Sequence, residues 1–174
     1  MSMNRIVVLM LLVFIVEGSI MPWLIPAEFS DRIIPHFIYV FVMYAALYGN
    51  RHVAMFLGAG FGLLQDIVYY GHLIGPHAFL MGVIGYFAGV LFTNRQATLM
   101  MAIAIMGIGY IAYDSMLFAI YQLFKLSTAD YAWALLHHIL PSLFLQLGFM
   151  LLLYVPLRKM FQSIQRKPLE ADED

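Results

Sequence analysis

The 174-residue sequence contains no cysteine and few charged residues. Without thiols, the chain cannot form disulfides, iron–sulfur clusters, cysteine zinc sites or a thiolate nucleophile. Charged residues make up 11% of the chain, whereas about a quarter is usual in soluble domains. The formal net charge is -1 and no block rich in Lys and Arg is present, so the composition argues against nucleic acid as a partner.

Apolar residues, in contrast, are abundant and make up 63% of the chain. A soluble fold of this size cannot bury so much apolar surface, so the lipid bilayer is expected to cover most of it. The few charges separate six apolar stretches close to the length of about 20 residues that a spanning helix needs. The sequence therefore predicts an all-α membrane protein, a bundle of about six transmembrane helices. These predicted spans are residues 6–25, 33–48, 53–70, 73–92, 97–124 and 131–156.

The distribution of Lys and Arg predicts the orientation of the bundle. With the N-terminus inside, two of these residues, Arg32 and Lys125, fall outside, and the other seven fall inside: Arg5, Arg51, Arg95, Arg158, Lys159, Arg166 and Lys167. Positive residues stay preferentially in the cytoplasm, so both termini are expected there. Beyond Pro156 the apolar residues keep helical spacing, which predicts a helix along the inner interface. Residues 1–168 are thus predicted to form one helical membrane domain, followed by an acidic tail at 169–174.

Three acids interrupt the predicted spans: Glu17, Asp66 and Asp114. An acidic side chain in the middle of the bilayer costs about 2.5–3.5 kcal/mol even on the lenient insertion scale. All three are expected in the outer half of the membrane, and the same depth is expected for His36, His137 and His138. His72 and His77 flank the turn between the third and fourth spans. The sequence therefore predicts one-sided polarity within the bundle.

Small residues recur at helical spacing in the middle of the chain. Gly58, Gly62 and Asp66 share one stripe of the third span, and Gly85 and Gly89 share one of the fourth. Gly107 lies with Asp114 on one face of the fifth. Small residues four apart let helices approach closely in membranes, so these glycines are candidates for helix packing or for docking a partner helix.

The residues alone leave the role of the intramembrane acids open. They can be hydrogen-bonded to His, Tyr and backbone partners and fix the helix register; they can bind a ligand or a proton; or Asp66 and Asp114 can share a proton in an aspartyl enzyme. A metal site is not expected, because the adjacent His137 and His138 point about 100° apart on a helix. Ser142 follows Pro141 without a nucleophile motif and is interpreted as packing polarity.

Three stretches resemble the rod shape-determining protein family MreD, and the resemblance spans nearly the whole chain. The first is the N-terminal helix interrupted by Glu17-Gly18-Ser19. The second is the glycine-rich helix that ends in Asp, residues 58–68, followed by Leu73-Ile74-Gly75. The third is Leu136 to Ser142 together with the basic exit from Tyr154 to Arg158.

The resemblance implies a non-enzymatic component, without cofactors, of the machinery that elongates the peptidoglycan wall of rod-shaped bacteria. It implies MreC as a partner and, around it, MreB, RodA and a penicillin-binding transpeptidase. Since the chain has almost no mass outside the bilayer, we expect a spanning helix of MreC to dock on the glycine-lined faces.

Two other functions are compatible with the sequence. The substrate-binding subunits of vitamin transporters are also small six-helix membrane proteins, and the fold is expected to be similar to theirs. Such a subunit would retain a vitamin or be stabilised by one. The second alternative is the intramembrane aspartyl enzyme, whose activity would be lost when Asp66 or Asp114 is changed to Asn.

Overall fold

The computed structural model describes residues 3–24, 26, 34–69, 73–92, 98–127 and 129–165, and the regular structure in these ranges is helical. This confirms the predicted all-α class for the described residues. The predicted acidic tail, residues 169–174, lies outside them. The α-helices, numbered in chain order, and one π-helical turn are α1 Met3–Ser19, α2 Met21–Leu24, α3 Phe37–Tyr48, α4 Arg51–Val68, α5 Pro76–Phe92, α6 Leu99–Leu123, α7 Tyr131–Ala134, the π turn Leu135–Ile139, α8 Leu140–Leu152 and α9 Tyr154–Gln165.

Within the described residues, two stretches of helix are long and apolar enough to cross a membrane: α6, and the run from α7 through α8 over Tyr131–Leu152. The shorter helices α3 and α5 are also apolar. Each of the six predicted spans overlaps a helix of the structure. The number of six spans, the cytoplasmic location of both termini and the single domain stay predictions.

Helix α3 forms the centre of the bundle, because all of its residues are buried. Its twelve residues extend about 18 Å, well short of the roughly 30 Å of a hydrocarbon layer. The predicted span at 33–48 is therefore too long at its start, since the helix begins only at Phe37. Pro35 contributes to the difference, because it disfavours a helical conformation at Ile34, and His36 has a non-helical φ of −128°. The helix is apolar on all sides, as a central position requires.

Helices α4 and α5 are antiparallel neighbours that approach through four glycines, here called the seam glycines: Gly58, Gly62, Gly85 and Gly89. A Cβ atom added to Gly58 or Gly62 would lie 2.6 Å from backbone atoms of α5. A Cβ atom added to Gly85 would come similarly close to α3 and α4, and one added to Gly89 would come similarly close to α4. The seam is closed by the chain's own helices, so a partner helix would have to contact other faces.

Three other helical glycines are packed more loosely. An added Cβ on Gly107 of α6 would meet Leu143 of α8 at 4.0 Å, an ordinary contact. Gly60 on α4 and Gly148 on α8 have no such neighbour within 4 Å and face outward. Gly107 thus lies between α6 and α8, whereas Gly60 and Gly148 lie on the surface of the bundle.

Two prolines interrupt the last long helix. Pro141 lacks an N–H and its ring crowds the carbonyl four residues earlier, and here the chain widens into the π turn. Pro156 acts in the same way, and the helix breaks at Leu153. The predicted span at 131–156 therefore ends at Leu152. The separate helix α9 follows, with Leu157 and Phe161 buried against the bundle.

Two arginines and two acids mark opposite ends of the bundle. Arg51 begins α4, and Arg158 lies in the first turns of α9 against Tyr48 at the end of α3. Glu17 contacts the start of α3, and Asp66 contacts the start of α5. We call these the basic end and the acidic end.

Candidate functional site

The Glu17 carboxylate, in the last turn of α1, binds the start of α3. Its Oε2 accepts hydrogen bonds from the backbone N–H groups of Phe37 at 2.9 Å and Ile38 at 3.4 Å. Its Oε1 accepts one from the Gln65 side-chain amide at 2.8 Å. The first N–H groups of a helix have no partner within that helix and carry partial positive charge. The buried Glu17 therefore caps α3 from another helix.

Two side chains of α8 extend this cap. Ser142 Oγ accepts a hydrogen bond from the Ile34 N–H at 3.0 Å. With its amide oriented so that both atoms are satisfied, Gln146 spans both backbone groups of His36: its oxygen accepts from the N–H, and its nitrogen donates to the carbonyl at 3.2 Å. Pro35 has no N–H. Every backbone N–H from residue 34 to residue 38 is thus bound by a side chain of α1 or α8, as a helix start enclosed by protein requires.

Asp66 caps α5 across the turn between α4 and α5. Its Oδ2 accepts hydrogen bonds from the N–H groups of Gly75 at 3.0 Å and Ala78 at 3.1 Å. Its Oδ1 accepts from the His77 backbone N–H at 3.3 Å and lies 2.7 Å from His77 Nδ1, a contact that selects the Nδ1–H tautomer. Gly75 has a φ of 120°, which favours glycine at the turn. Four donors thus replace the water lost by this buried carboxylate.

Adjacent residues of α4 link the two caps. Gln65 donates to Glu17 on the α3 side, and Asp66 binds the start of α5. Successive residues of a helix point about 100° apart, so the last turns of α4 can serve two neighbouring helices at once. The starts of α3 and α5 are therefore held in a fixed relation through two consecutive side chains.

Buried rings fill the space between the two caps: His36, Tyr39, His77, Tyr110 and Tyr113, here called the ring cluster. The His36 ring lies 5.7 Å from that of Tyr113 and 6.0 Å from that of His77, centroid to centroid. Tyr39 lies 5.5 Å from Tyr110 and 5.4 Å from Tyr113. None of the five is more than 2% exposed. The cluster joins α3, α5 and α6 behind the capped helix starts.

Asp114 lies on α6 one turn beyond Tyr110, with which it interacts, and close to Tyr39. It is partly exposed, whereas Asp66 is fully buried. Among the described contacts, no hydrogen bond joins Asp66 to Asp114, as a proton shared between two aspartates would require. The structure therefore connects Glu17 and Asp66 through α4 and leaves Asp114 at the edge of the ring cluster.

His137 and His138 lie on the π turn and pack on Trp133. The His137 ring stacks on the indole at 4.8 Å with an angle of 10° between the planes, and its Nδ1 lies 3.2 Å from the Trp133 carbonyl oxygen. The His138 ring meets the same indole edge-on at 5.2 Å. Trp133 is about half exposed. Their packing partner is thus a surface tryptophan, whereas His36 belongs to the buried ring cluster.

A family model covers almost the whole chain. The model for the rod shape-determining protein MreD matches residues 2–164 of the 174. The chain belongs to the MreD family. This confirms the resemblance carried by Glu17-Gly18-Ser19, residues 58–68 and residues 136–142. No curated protein and no solved structure matches the chain, so the expected fold similarity to vitamin-transporter subunits stays a prediction.

The polar side chains of this MreD family member hold backbone and each other. Within the described ranges, no group of three or more His, Asp or Glu residues could hold a metal ion. The Asp66–His77 pair orients an imidazole, yet Asp66 is fully engaged by the start of α5. The family is described by cell-shape determination rather than by a reaction. The arrangement can therefore fix four helices relative to one another at the acidic end.

Two residues of the polar network at the acidic end, Gln65 and Gln146, are not among the sequence-predicted candidates. They are 0% and 2% exposed, and each binds a group that would otherwise be unsatisfied. An amide side chain among apolar helix residues is a detectable signal, since a buried polar group needs a partner. From the sequence, His77 was predicted only to flank the turn between the third and fourth spans. Its role depends on Asp66, eleven residues earlier.

Proposed function

We propose that this chain is a non-enzymatic membrane component of the bacterial cell-elongation machinery. It acts in rod-shape determination and lateral peptidoglycan synthesis by associating with MreC, and through MreC with MreB, RodA and a penicillin-binding transpeptidase. In this proposal the chain crosses the cell membrane six times, with both termini in the cytoplasm. The observation that carries the proposal is the MreD family match over residues 2–164.

The geometry of the acidic end supports a scaffold. Glu17 and Asp66 receive seven described hydrogen bonds or close contacts between them, all from groups of the chain itself. Acids used in this way stabilise one arrangement of α1, α3, α4 and α5. A rigid bundle with outward apolar surfaces suits a protein that positions other membrane helices.

The partner surface in this proposal lies on the outward faces of the bundle, because the seam glycines are covered by α3, α4 and α5. Each long helix presents large apolar side chains outward. Representative positions, at least 56% exposed, are Leu12 on α1, Phe56 on α4, Phe87 on α5, Ile108 on α6 and Phe144 on α8.

Depletion in the rod-shaped host tests the cellular role. We expect the cells to round up, and the incorporation of fluorescent D-amino acids along the side wall to fall before division-site labelling does. Expression of the wild-type chain should restore both. Cells that stay rod-shaped after depletion, in a strain without a second copy of the gene, would refute the proposal.

Site-specific photo-crosslinking tests the association with MreC. A benzoylphenylalanine placed singly at Leu12, Phe56, Phe87, Ile108 and Phe144 should crosslink to MreC from one helix face and not from all five. The same group at the buried Phe41 is the control and should give no crosslink. Absence of MreC crosslinks from every outward position, in cells where the variants support rod shape, would contradict direct association.

A further inference from the structure

Arg158 of α9 is held in a defined position at the basic end. Its Nη1 donates a hydrogen bond to the Tyr154 hydroxyl at 2.9 Å. Its guanidinium carbon lies 5.5 Å from the centre of the Tyr48 ring and 5.7 Å from that of Tyr154. Tyr48 and Tyr154 also interact with each other. Two aromatic faces thus orient a group that would otherwise sample many rotamers.

The positive charge of Arg158 is not balanced by any acid in the described part of the chain. The described acids are Glu17, Asp66, Asp114 and Asp130, and none forms an ion pair with an arginine or a lysine there. The first turn of α9 contains no acid either, although the start of a helix favours negative charge. Of the five N–H donors of the guanidinium, one is used by a described contact. As far as the described residues extend, charge and donors therefore remain available to an anion.

Two further basic residues lie at the same end of the bundle as Arg158. Lys159 follows it and is exposed. Arg51 begins α4 three residues after Tyr48, so at most about 11 Å of extended chain separates their Cα atoms. The three cations come from α4 and α9, beside the end of the central helix α3. Among them, Arg158 is the one whose guanidinium is oriented by two aromatic rings.

The depth of Arg158 indicates which anion it meets. It lies on α9, a helix predicted to run along the inner interface, six residues beyond the end of the apolar run Tyr131–Leu152. A bilayer has a polar layer of roughly 5–8 Å on each side of its hydrocarbon core. Arg158 is therefore level with the lipid headgroups, where phosphate is the main acceptor. A planar guanidinium binds two phosphate oxygens at once.

We propose that Arg158, oriented by Tyr48 and Tyr154, forms a binding site for the phosphate of an anionic phospholipid headgroup. Arg51 adds attraction to the net negative charge of the lipid, which a zwitterionic lipid lacks. The site selects phosphatidylglycerol-type lipids over phosphatidylcholine. It binds the phosphate as part of the lipid, because the acyl chains lie against the apolar surface of the bundle.

Native mass spectrometry of the full chain tests the site, in micelles that contain equal amounts of phosphatidylglycerol and phosphatidylcholine with identical acyl chains. The wild-type protein should retain phosphatidylglycerol preferentially. Arg158→Gln should lower this preference about fivefold, which corresponds to the contribution of one basic residue to binding at an anionic membrane surface. Arg158→Lys should lie between the two, because an ammonium cannot form the two-pronged contact. Tyr154→Phe, which keeps every charge, should also reduce the preference.

Lys159→Gln is the matched control, since it removes the same charge one residue away from an exposed side chain. It should change the preference by less than twofold. Equal losses from Lys159→Gln and Arg158→Gln would overturn the proposal in favour of diffuse attraction, and an Arg158→Gln protein that keeps the wild-type preference would overturn it outright. Millimolar inorganic phosphate should not displace the lipid. Displacement would assign the site to free phosphate instead.

Discussion

The Glu17 carboxylate of α1 accepts a hydrogen bond of 2.9 Å from the backbone nitrogen of Phe37, the first residue of α3. The bond joins the end of an outer helix to the start of the central one. Because α3 begins inside the bundle, its first N–H groups have neither water nor a preceding turn to bind them. The acid in α1 supplies the missing acceptor. Asp66 supplies another for α5.

Removing the Glu17 carboxylate should destabilise the protein. In Glu17→Ala, the N–H groups of Phe37 and Ile38 and the Gln65 amide lose their acceptor, and we expect the free energy of unfolding to fall by about 3 kcal/mol. Glu17→Gln keeps one acceptor oxygen but loses the charge, at a cost of about 1 kcal/mol. The measurement is unfolding by SDS titration in mixed micelles.

The control for this series is the exposed Asp130, which makes no side-chain cap bond at the start of α7. Asp130→Asn should leave the free energy of unfolding within about 0.5 kcal/mol of the wild type. Glu17→Ala with wild-type stability would mean that α3 does not need the cap.

Asp66 and His77 should be energetically coupled, because the two fully buried side chains contact each other at 2.7 Å. Asp66→Asn puts an amide NH₂ against N–H donors and should cost about 2 kcal/mol. His77→Ala should cost less by itself. In a double-mutant cycle the coupling energy should be about 1–2 kcal/mol. Additive effects of the two changes would argue that the contact contributes nothing to stability.

Alanine substitutions should change the stability of the protein in opposite directions on two faces of α4. Gly58→Ala and Gly62→Ala place a Cβ 2.6 Å from the backbone of α5 and should destabilise by about 1–3 kcal/mol. Gly60→Ala, on the outward face of the same helix, meets nothing within 4 Å and should stabilise by up to about 1 kcal/mol through helix propensity. Thermal stability in detergent reports all three. Equal behaviour at the three positions would contradict a seam within the chain.

Gln146 should matter through the backbone of His36. Gln146→Leu leaves the N–H and the carbonyl of His36 without their partner, and we expect a loss of about 2 kcal/mol. Gln122 on α6 is exposed and offers a matched control. Gln122→Leu should not destabilise, since an apolar group there faces outward. Wild-type unfolding midpoints in SDS for both leucine variants would contradict a stabilising role of the Gln146 side chain.

The positions of the helices were predictable because hydrophobicity and the residues that separate apolar stretches are local properties of the sequence. The stretch predicted at 73–92 contains α5, and the one predicted at 97–124 contains α6. Two of the errors occur at prolines: α3 begins only after Pro35, and the helix before Pro156 ends earlier than predicted. Both follow from local backbone chemistry, so attention to the missing N–H of each proline would have corrected them.

The sequence by itself determined that the chain is helical and apolar, that it resembles the MreD family, and that Glu17 and Asp66 need partners to be tolerated among apolar residues. The tertiary structure decided what those partners are. Glu17 reaches across 20 residues to α3, and Ser142 reaches across 108 residues to Ile34. The physical reason is that burial cost depends on residue type and local depth, whereas a hydrogen-bond partner depends on which helices become neighbours. The central position of α3 and the closure of the glycine seam likewise depend on which helices become neighbours.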